Sequence, residues 1–148
     1  MTITVYGIPG PQGSKKLVGR DRKGRGILIE SSKKVKPWRE AVKWAALESY
    51  PSHDRWKGGC AIAGAIALTI IFTLPRPKSA KMGAYADKRP DVSKLVRSTE
   101  DALTEAAIWE DDARVVLVVA VKLYAGDPGA LESPGAVIMI QSRNQVTG

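Results

Sequence analysis

The stretch Pro90-Asp91-Val92-Ser93-Lys94-Leu95-Val96-Arg97-Ser98-Thr99-Glu100-Asp101-Ala102-Leu103-Thr104-Glu105-Ala106 decides the fold. Val92, Leu95, Val96, Thr99, Ala102, Leu103 and Ala106 recur at i, i+3, i+4, i+7 spacing, which predicts an amphipathic helix starting at Asp91. That helix must stop near Ala107, because Arg114 to Tyr124 is a β-branched strand sequence that is apolar on both faces. Asp111 and Asp112 then occupy the turn just before this strand. Upstream, Ala61 to Leu74 reads as a long strand central to the sheet, ended by Pro75-Arg76-Pro77. A helix that begins at Asp91 and a strand that begins after Asp112 are antiparallel neighbours only if the first runs out and the second returns. That geometry puts the two carboxylates at opposite ends of the pair unless the strand's start is reached from a different direction, so secondary structure alone does not bring them together.

Working toward the N-terminus, Thr2 to Tyr6 reads as a strand and Gly7 to Ser14 as an irregular Gly/Pro turn. Ile27-Leu28-Ile29 is a second short strand, and Lys15 to Gly26 a basic hairpin arm within a loop region of about 10–26. Pro37 at a first helical position starts a helix with Trp38, Ala41, Val42, Ala45 and Ala46 on one face, ending before Pro51. Lys78 to Arg89 is a polar loop expected to be mobile, Gly135 to Gln141 an expected edge strand, and 142–148 a frayed tail. There are no internal repeats. The expected fold is α/β (α+β): one domain over 1–148, with a small mixed sheet of about four to five strands flanked by two main helices.

Composition agrees with one domain: 148 residues, 44% hydrophobic, is enough for one core and short for two. The longest apolar run, Cys60 to Leu74, is about 15 residues and falls short of the roughly 20 needed to span a membrane. Met1 leads directly into strand-like sequence with no secretory pattern, and the lone Cys60 and His53 make neither an internal disulfide nor a structural zinc site. A cytoplasmic protein, in a bacterial cell or a phage-infected host, is expected. Net charge is +8, and residues 1–43 hold 11 Lys/Arg against three acids while the rest balances. A basic, glycine-containing segment suits a polyanion, with nucleic acid favoured over a merely solubilising surface.

Several carboxylates in a basic protein also suit Mg²⁺, which takes oxygen ligands and keeps waters and phosphate oxygens. Each acid has a plainer reading. Asp91 can cap its helix, Asp111 and Asp112 can be turn residues, and Asp101 can be solvated.

Arg89-Pro90-Asp91-Val92-Ser93-Lys94-Leu95-Val96-Arg97, then Asp101-Ala102-Leu103, then Trp109-Glu110-Asp111-Asp112-Ala113-Arg114-Val115-Val116, resembles the RusA family of Holliday junction resolvases. Its members read basic-Pro-Asp-x-Asp-Asn-Leu-x-Lys, Asp-Ala-Leu, and Asp-Asp-x-Gln-Val before a strand. Gly7-x-Pro9, Pro11 to Lys16, Glu30 to Lys33 and Lys36-Pro37-Trp38-Arg39 are similar to phage and actinobacterial members. The resemblance implies a homodimer that binds four-way DNA junctions and nicks two strands symmetrically using Mg²⁺, with Mn²⁺ able to substitute. It needs no small-molecule cofactor and no membrane.

By the same carry-over Asp91 and Asp112 are the catalytic metal ligands, Asp111 is an adjacent acid that binds metal or holds a ligand, Arg97 is the catalytic cation, and the Ser93 hydroxyl can still hold a metal-bound water. Ser93 stands where the family has its second Asp, Lys94 where it has Asn, and Arg97 where it has the catalytic Lys. Arg97 keeps the positive charge as a fixed guanidinium. Lys15, Lys16, Arg20, Arg22, Lys23, Arg25, Lys33, Lys34, Lys36 and Lys94 are expected to grip phosphates. Two rivals remain: a junction-binding accessory protein whose cutting is weakened by Ser93, and another metal nuclease of Pro-Asp…Asp-x-Lys type, mimicked by Pro90-Asp91 and Asp112-Ala113-Arg114.

Overall fold

The structure is a computed structural model that describes residues 1–13, 15–30, 32–50 and 61–143. The elements are β1 (Thr2–Tyr6), β2 (Lys15–Arg20), β3 (Gly26–Glu30), α1 (Val35–Ser49), β4 (Ala65–Leu74), α2 (Val92–Glu105), a 3₁₀ turn (Asp112–Arg114), β5 (Val115–Tyr124) and β6 (Gly135–Arg143). Four strands form one sheet in the order β1-β6-β4-β5, while β2 and β3 form a separate two-stranded ribbon. β4 and β5 are parallel and the other pairs antiparallel, so the sheet is mixed. Two parallel neighbours need a crossover, and α2 supplies it.

Both helices cover one face. Trp38, Val42 and Ala46 of α1 and Leu95, Ala102 and Leu103 of α2 are buried with Ile3, Val5, Ile66, Leu68, Ile70, Phe72, Ile138 and Ile140. Two polar contacts fix how the helices meet. Trp38 Nε1 donates to Thr99 Oγ1 at 3.0 Å, and Thr99 Oγ1 donates back to the Leu95 carbonyl at 2.8 Å. The Gly/Pro segment after β1 is tied to α2, where Ser98 Oγ donates to the Gly10 carbonyl at 2.6 Å and Gln12 N to the Lys94 carbonyl at 3.0 Å. Gly10 cannot be replaced there, since a Cβ would lie 2.1 Å from the Lys34 carbonyl oxygen.

Several details differ from the sequence expectations. α1 begins at Val35, so Pro37 is its third residue rather than its first. The first-turn amides have no helical acceptor, so proline is tolerated anywhere in that turn. β4 begins at Ala65, because Gly64 at φ 81° bends the chain and Ala61 and Ile62 instead donate to the carbonyls of Ala107 and Ile108.

The last strand is not at an edge. β6 lies between β1 and β4, with Ala136, Ile138 and Ile140 facing the core, and β5 takes the edge instead. In the loop 78–89, expected to be mobile, the backbone has specific anchors. Arg76 donates to the Lys81 carbonyl and pairs with Asp127, the Gly83 amide also reaches Asp127, and Ala86 is buried. α1 ends at Ser49, before Pro51 as expected, and β6 runs to Arg143, so Ser142 and Arg143 belong to a strand rather than to a frayed tail; residues 51–60 and the rest of that tail, 144–148, lie outside the described residues.

Candidate functional site

Asp91 is the N-cap residue of α2, with extended backbone (φ −68°, ψ 133°) and no capping bond from its side chain. Its carboxylate is 56% exposed, and the nearest opposite charge is Lys94 Nζ at 3.7 Å. The capping role is therefore not what holds this residue. The turn that delivers it is held from β5, where Lys122 Nζ donates to the carbonyls of Lys88 (2.7 Å) and Pro90 (2.9 Å). Asp91 opens into a groove bordered by Pro9, Pro11, Gln12, Lys34, Lys88, Arg89 and Lys94, with Leu74 and Tyr124 beneath.

A second groove adjoins it through Gln12, Gly13 and Lys94. Ser93, Arg97, Asp101 and Glu105 line it at four-residue spacing, opposite Lys15, Lys36 and Arg39. Arg39 is tied to Glu105 and lies 3.9 Å from Asp101. Arg97 makes no ion pair among the described residues, so its charge is available to the groove.

Asp112 is held by other means. Thr104 Oγ1 donates to its Oδ1, and the indole Nε1 of buried Trp109 reaches Thr104 Oγ1 at 2.7 Å and Asp112 Oδ1 at 3.2 Å. Asp111 caps the 3₁₀ turn, accepting from the Ala113 amide at 2.7 Å. Burial raises the Glu100 pKa above the usual carboxylate value, helped by Asp112 and Asp101 and opposed by Arg97. Burial likewise raises that of Asp101, with Arg39 opposing.

Lys94 borders both grooves, Asp91 opens into the first and Ser93 and Arg97 line the second, while Asp112 is anchored apart at Thr104. Thr104, which anchors Asp112, is thirteen residues along α2 from Asp91, roughly 20 Å at 1.5 Å per residue. Among the described residues no three Asp, Glu, His or Cys side chains gather as a metal site. Of the expected phosphate-gripping residues, Lys15, Lys34, Lys36 and Lys94 line the grooves. Lys34 and Lys36 sit at the grooves' rim with Lys33 beside them, while Lys15, Lys16, Arg20, Arg22, Lys23 and Arg25 belong to the exposed β2–β3 ribbon. Two of these are partly engaged, because Arg25 pairs with Asp21 at 2.8 Å and Arg20 donates to the Gly24 carbonyl at 3.0 Å. The amide and guanidinium of Arg25 hold Asp21 below the usual carboxylate range.

The family model of the endodeoxyribonuclease RusA matches residues 9–132. The chain belongs to the RusA endodeoxyribonuclease family. A search of curated proteins finds no significant match. The RusA match runs from the turn after β1 to the loop after β5, and so contains both grooves, the ribbon, α2 and Asp112. RusA nucleases act on Holliday junctions, and an exposed basic ribbon is consistent with that substrate. No helix among the described residues is long and apolar enough to cross a membrane. Sequence reasoning missed Thr104, Trp109 and Lys122, whose roles arise only once α2 and β5 pack. Their one visible trace is a hydroxyl and an indole placed eight and three residues before Asp112.

Proposed function

We propose that this RusA-family chain is a cytoplasmic, Mg²⁺-dependent endodeoxyribonuclease that resolves four-way junctions by paired symmetric nicks as a homodimer. The observation that carries this reading is Asp91: an exposed, uncapped carboxylate at the mouth of a basic groove, on a turn clamped by Lys122. Asp91, Asp111, Asp112 and the Ser93 hydroxyl are all oxygen donors, the set that suits Mg²⁺, or Mn²⁺ in its place. When bound, the ion would polarise the scissile phosphate and lower the pKa of an attacking water.

The roles of the chain's own side chains follow from position. The ribbon lysines and arginines and Lys33, Lys34, Lys36 and Lys94 hold phosphates. Arg97, in the groove one helical turn beyond Ser93, neutralises charge that develops at phosphorus. Ser93 offers a hydroxyl where the family has a carboxylate, which weakens metal affinity.

Within one chain Asp112 is anchored to Thr104, about 20 Å along α2 from Asp91, so the pair is proposed to form between two chains, Asp91 from one and Asp112 from the other. The edge strand supports a dimer. Val116, Leu117, Val118, Val119 and Val121 of β5 are all exposed, an apolar unpaired edge of the kind that seeks a partner. Leu117, Val119 and Val121 stand beside Ala67, Thr69 and Ile71 on the face away from the helices, so a second copy would cover that face as well. A twofold dimer also matches the approximate twofold symmetry of a junction.

Incubation with a four-way junction and a linear duplex of the same sequence, in Mg²⁺ and in chelator, tests the reading. The expected result is paired nicks in the junction only when Mg²⁺ is present. Binding without nicks in Mg²⁺ and Mn²⁺ would instead support the accessory-protein reading, which the serine at position 93 favours. Equal cutting of linear duplex would support the Pro-Asp…Asp-x-Lys nuclease.

A further inference from the structure

Tyr85 is 90% exposed, more than any other large hydrophobic side chain among the described residues. Its backbone is nonetheless held on both sides. Before it, Arg76 Nη1 donates to the Lys81 carbonyl at 3.0 Å, Ala84 N closes a turn onto the same carbonyl at 3.1 Å, and the Gly83 amide reaches Asp127. After it, Ala86 is buried and Lys122 holds the Lys88 carbonyl. Arg76 itself is locked by Asp127 and lies 5.5 Å over the Tyr124 ring. A ring on so anchored a backbone is presented outward by the fold.

Its neighbours are cationic. Residues 78–89 carry Lys78, Lys81, Lys88 and Arg89 against Asp87 alone. Lys88 and Arg89 border the groove that ends at Asp91, and Lys88 is three residues from Tyr85, at most about 11 Å between Cα atoms. The β2–β3 ribbon offers aliphatic side chains (Leu17, Val18, Ile27, Leu28, Ile29) and no ring, and Phe72 is fully buried. Tyr85, like the exposed Trp44 and Tyr6, lines neither groove, but it alone of the three lies within three residues of a groove-lining cation, Lys88.

We propose that Tyr85 is a nucleobase-stacking site that takes an unstacked base at the branch point while Lys88 and Arg89 hold the adjoining phosphates. This rests on the junction-nuclease reading and deepens it. Intact duplex hides its base faces, whereas a branch point, gap or single strand exposes them, so such a ring would favour branched over linear DNA. Aromatic stacking on a base corresponds to a roughly 5- to 150-fold change in affinity when the ring is removed.

The test uses the full chain in chelator, so that binding is measured without cutting. The DNAs are a four-way junction with 2-aminopurine at the branch, the matching linear duplex and a single strand carrying the same probe. Tyr85→Ala should weaken junction binding by at least fivefold, leave linear duplex binding within about twofold, and abolish the stacking quench of the probe. Tyr85→Phe should behave as wild type, because stacking needs the ring and not the hydroxyl. Junction affinity and quench unchanged in Tyr85→Ala, with wild type still preferring junctions, would overturn the stacking site and leave the nuclease reading standing. Conversely, no junction preference in wild type, together with a quench on single strands that Tyr85→Ala loses, would support the stacking site and remove the junction reading. Unchanged DNA binding with a loss of dimer mass in Tyr85→Ala would make the ring a protein contact and overturn the proposal.

Discussion

Replacing Lys15 and Lys16 together by alanine should change how junction binding responds to salt more than it changes the fold. Both lie exposed on β2 of the ribbon. Each phosphate contact made by such a cation contributes about 0.9 to the slope of log affinity against log salt, so the double variant should flatten the slope by about 1.8. Between about 50 and about 200 mM salt that is about one log unit, so the variant should lose about tenfold less affinity than wild type over this range. Arg25→Ala is the internal control, because that guanidinium is already paired with Asp21 and its removal should change the slope less. The assay is fluorescence anisotropy of a labelled junction in chelator over a salt series, with thermal melts to confirm that all three proteins are folded. An unchanged slope in the double variant would refute the ribbon as a phosphate-contacting surface.

Ser93→Asp restores a carboxylate two residues from Asp91 and should lower the Mg²⁺ concentration needed for cleavage, whereas Ser93→Ala should not; equal Mg²⁺ titrations in all three proteins would show that position 93 does not face the metal. Lys122→Met removes two charge-assisted hydrogen bonds to the turn before Asp91 and should destabilise the fold by about 1–2 kcal/mol. The same variant should slow cleavage while leaving junction affinity in chelator unchanged, with Lys122→Arg partly rescuing the rate. Glu100 has a folded-state pKa raised by burial and by Asp112 and Asp101, so the folded chain retains its proton to higher pH than the unfolded chain does. Stability therefore falls as pH rises from the ordinary glutamate value through the raised one. Glu100→Gln should melt higher than wild type near neutral pH, by a margin that shrinks as pH is lowered; a margin constant between about pH 4 and about pH 8 would show that the ionised Glu100 carries no penalty.

Much of the fold can be read from side-chain periodicity. Leu95, Ala102 and Leu103 recur at helical spacing because that stripe meets the sheet, and all three are fully buried. The alternation of Ala136, Ile138 and Ile140 marks a strand equally well, yet it says nothing of which neighbour that strand pairs with. The swap of edge and interior between β5 and β6 has this origin. Val115 to Val121 has the composition of an interior strand, while in one chain most of it is exposed.

The site divides in the same way. Asp91 could be found from Pro90-Asp91 and the start of the helical stripe, but whether its carboxylate caps the helix depends on a rotamer. Asp112 was legible as a position and not as an environment, because Thr104 and Trp109 meet it only after the chain turns back past Ala107 at φ 55°. The resemblance implies one metal held by Asp91 and Asp112, whereas within one chain Asp112 is anchored at Thr104, near the opposite end of α2 from Asp91.

Subunit mixing tests the central claim, that each cutting site joins Asp91 of one chain to Asp112 of another. Asp91→Asn and Asp112→Asn chains, each inactive alone, are co-expressed with different tags, and the doubly tagged dimer is purified and assayed on a four-way junction in Mg²⁺. In a shared-site dimer one site carries both substitutions and the other carries neither, so the mixed dimer should make single nicks at about half the wild-type number of sites. An inactive mixed dimer, still bound to the junction, would mean that each site draws both carboxylates from one chain and would contradict the account.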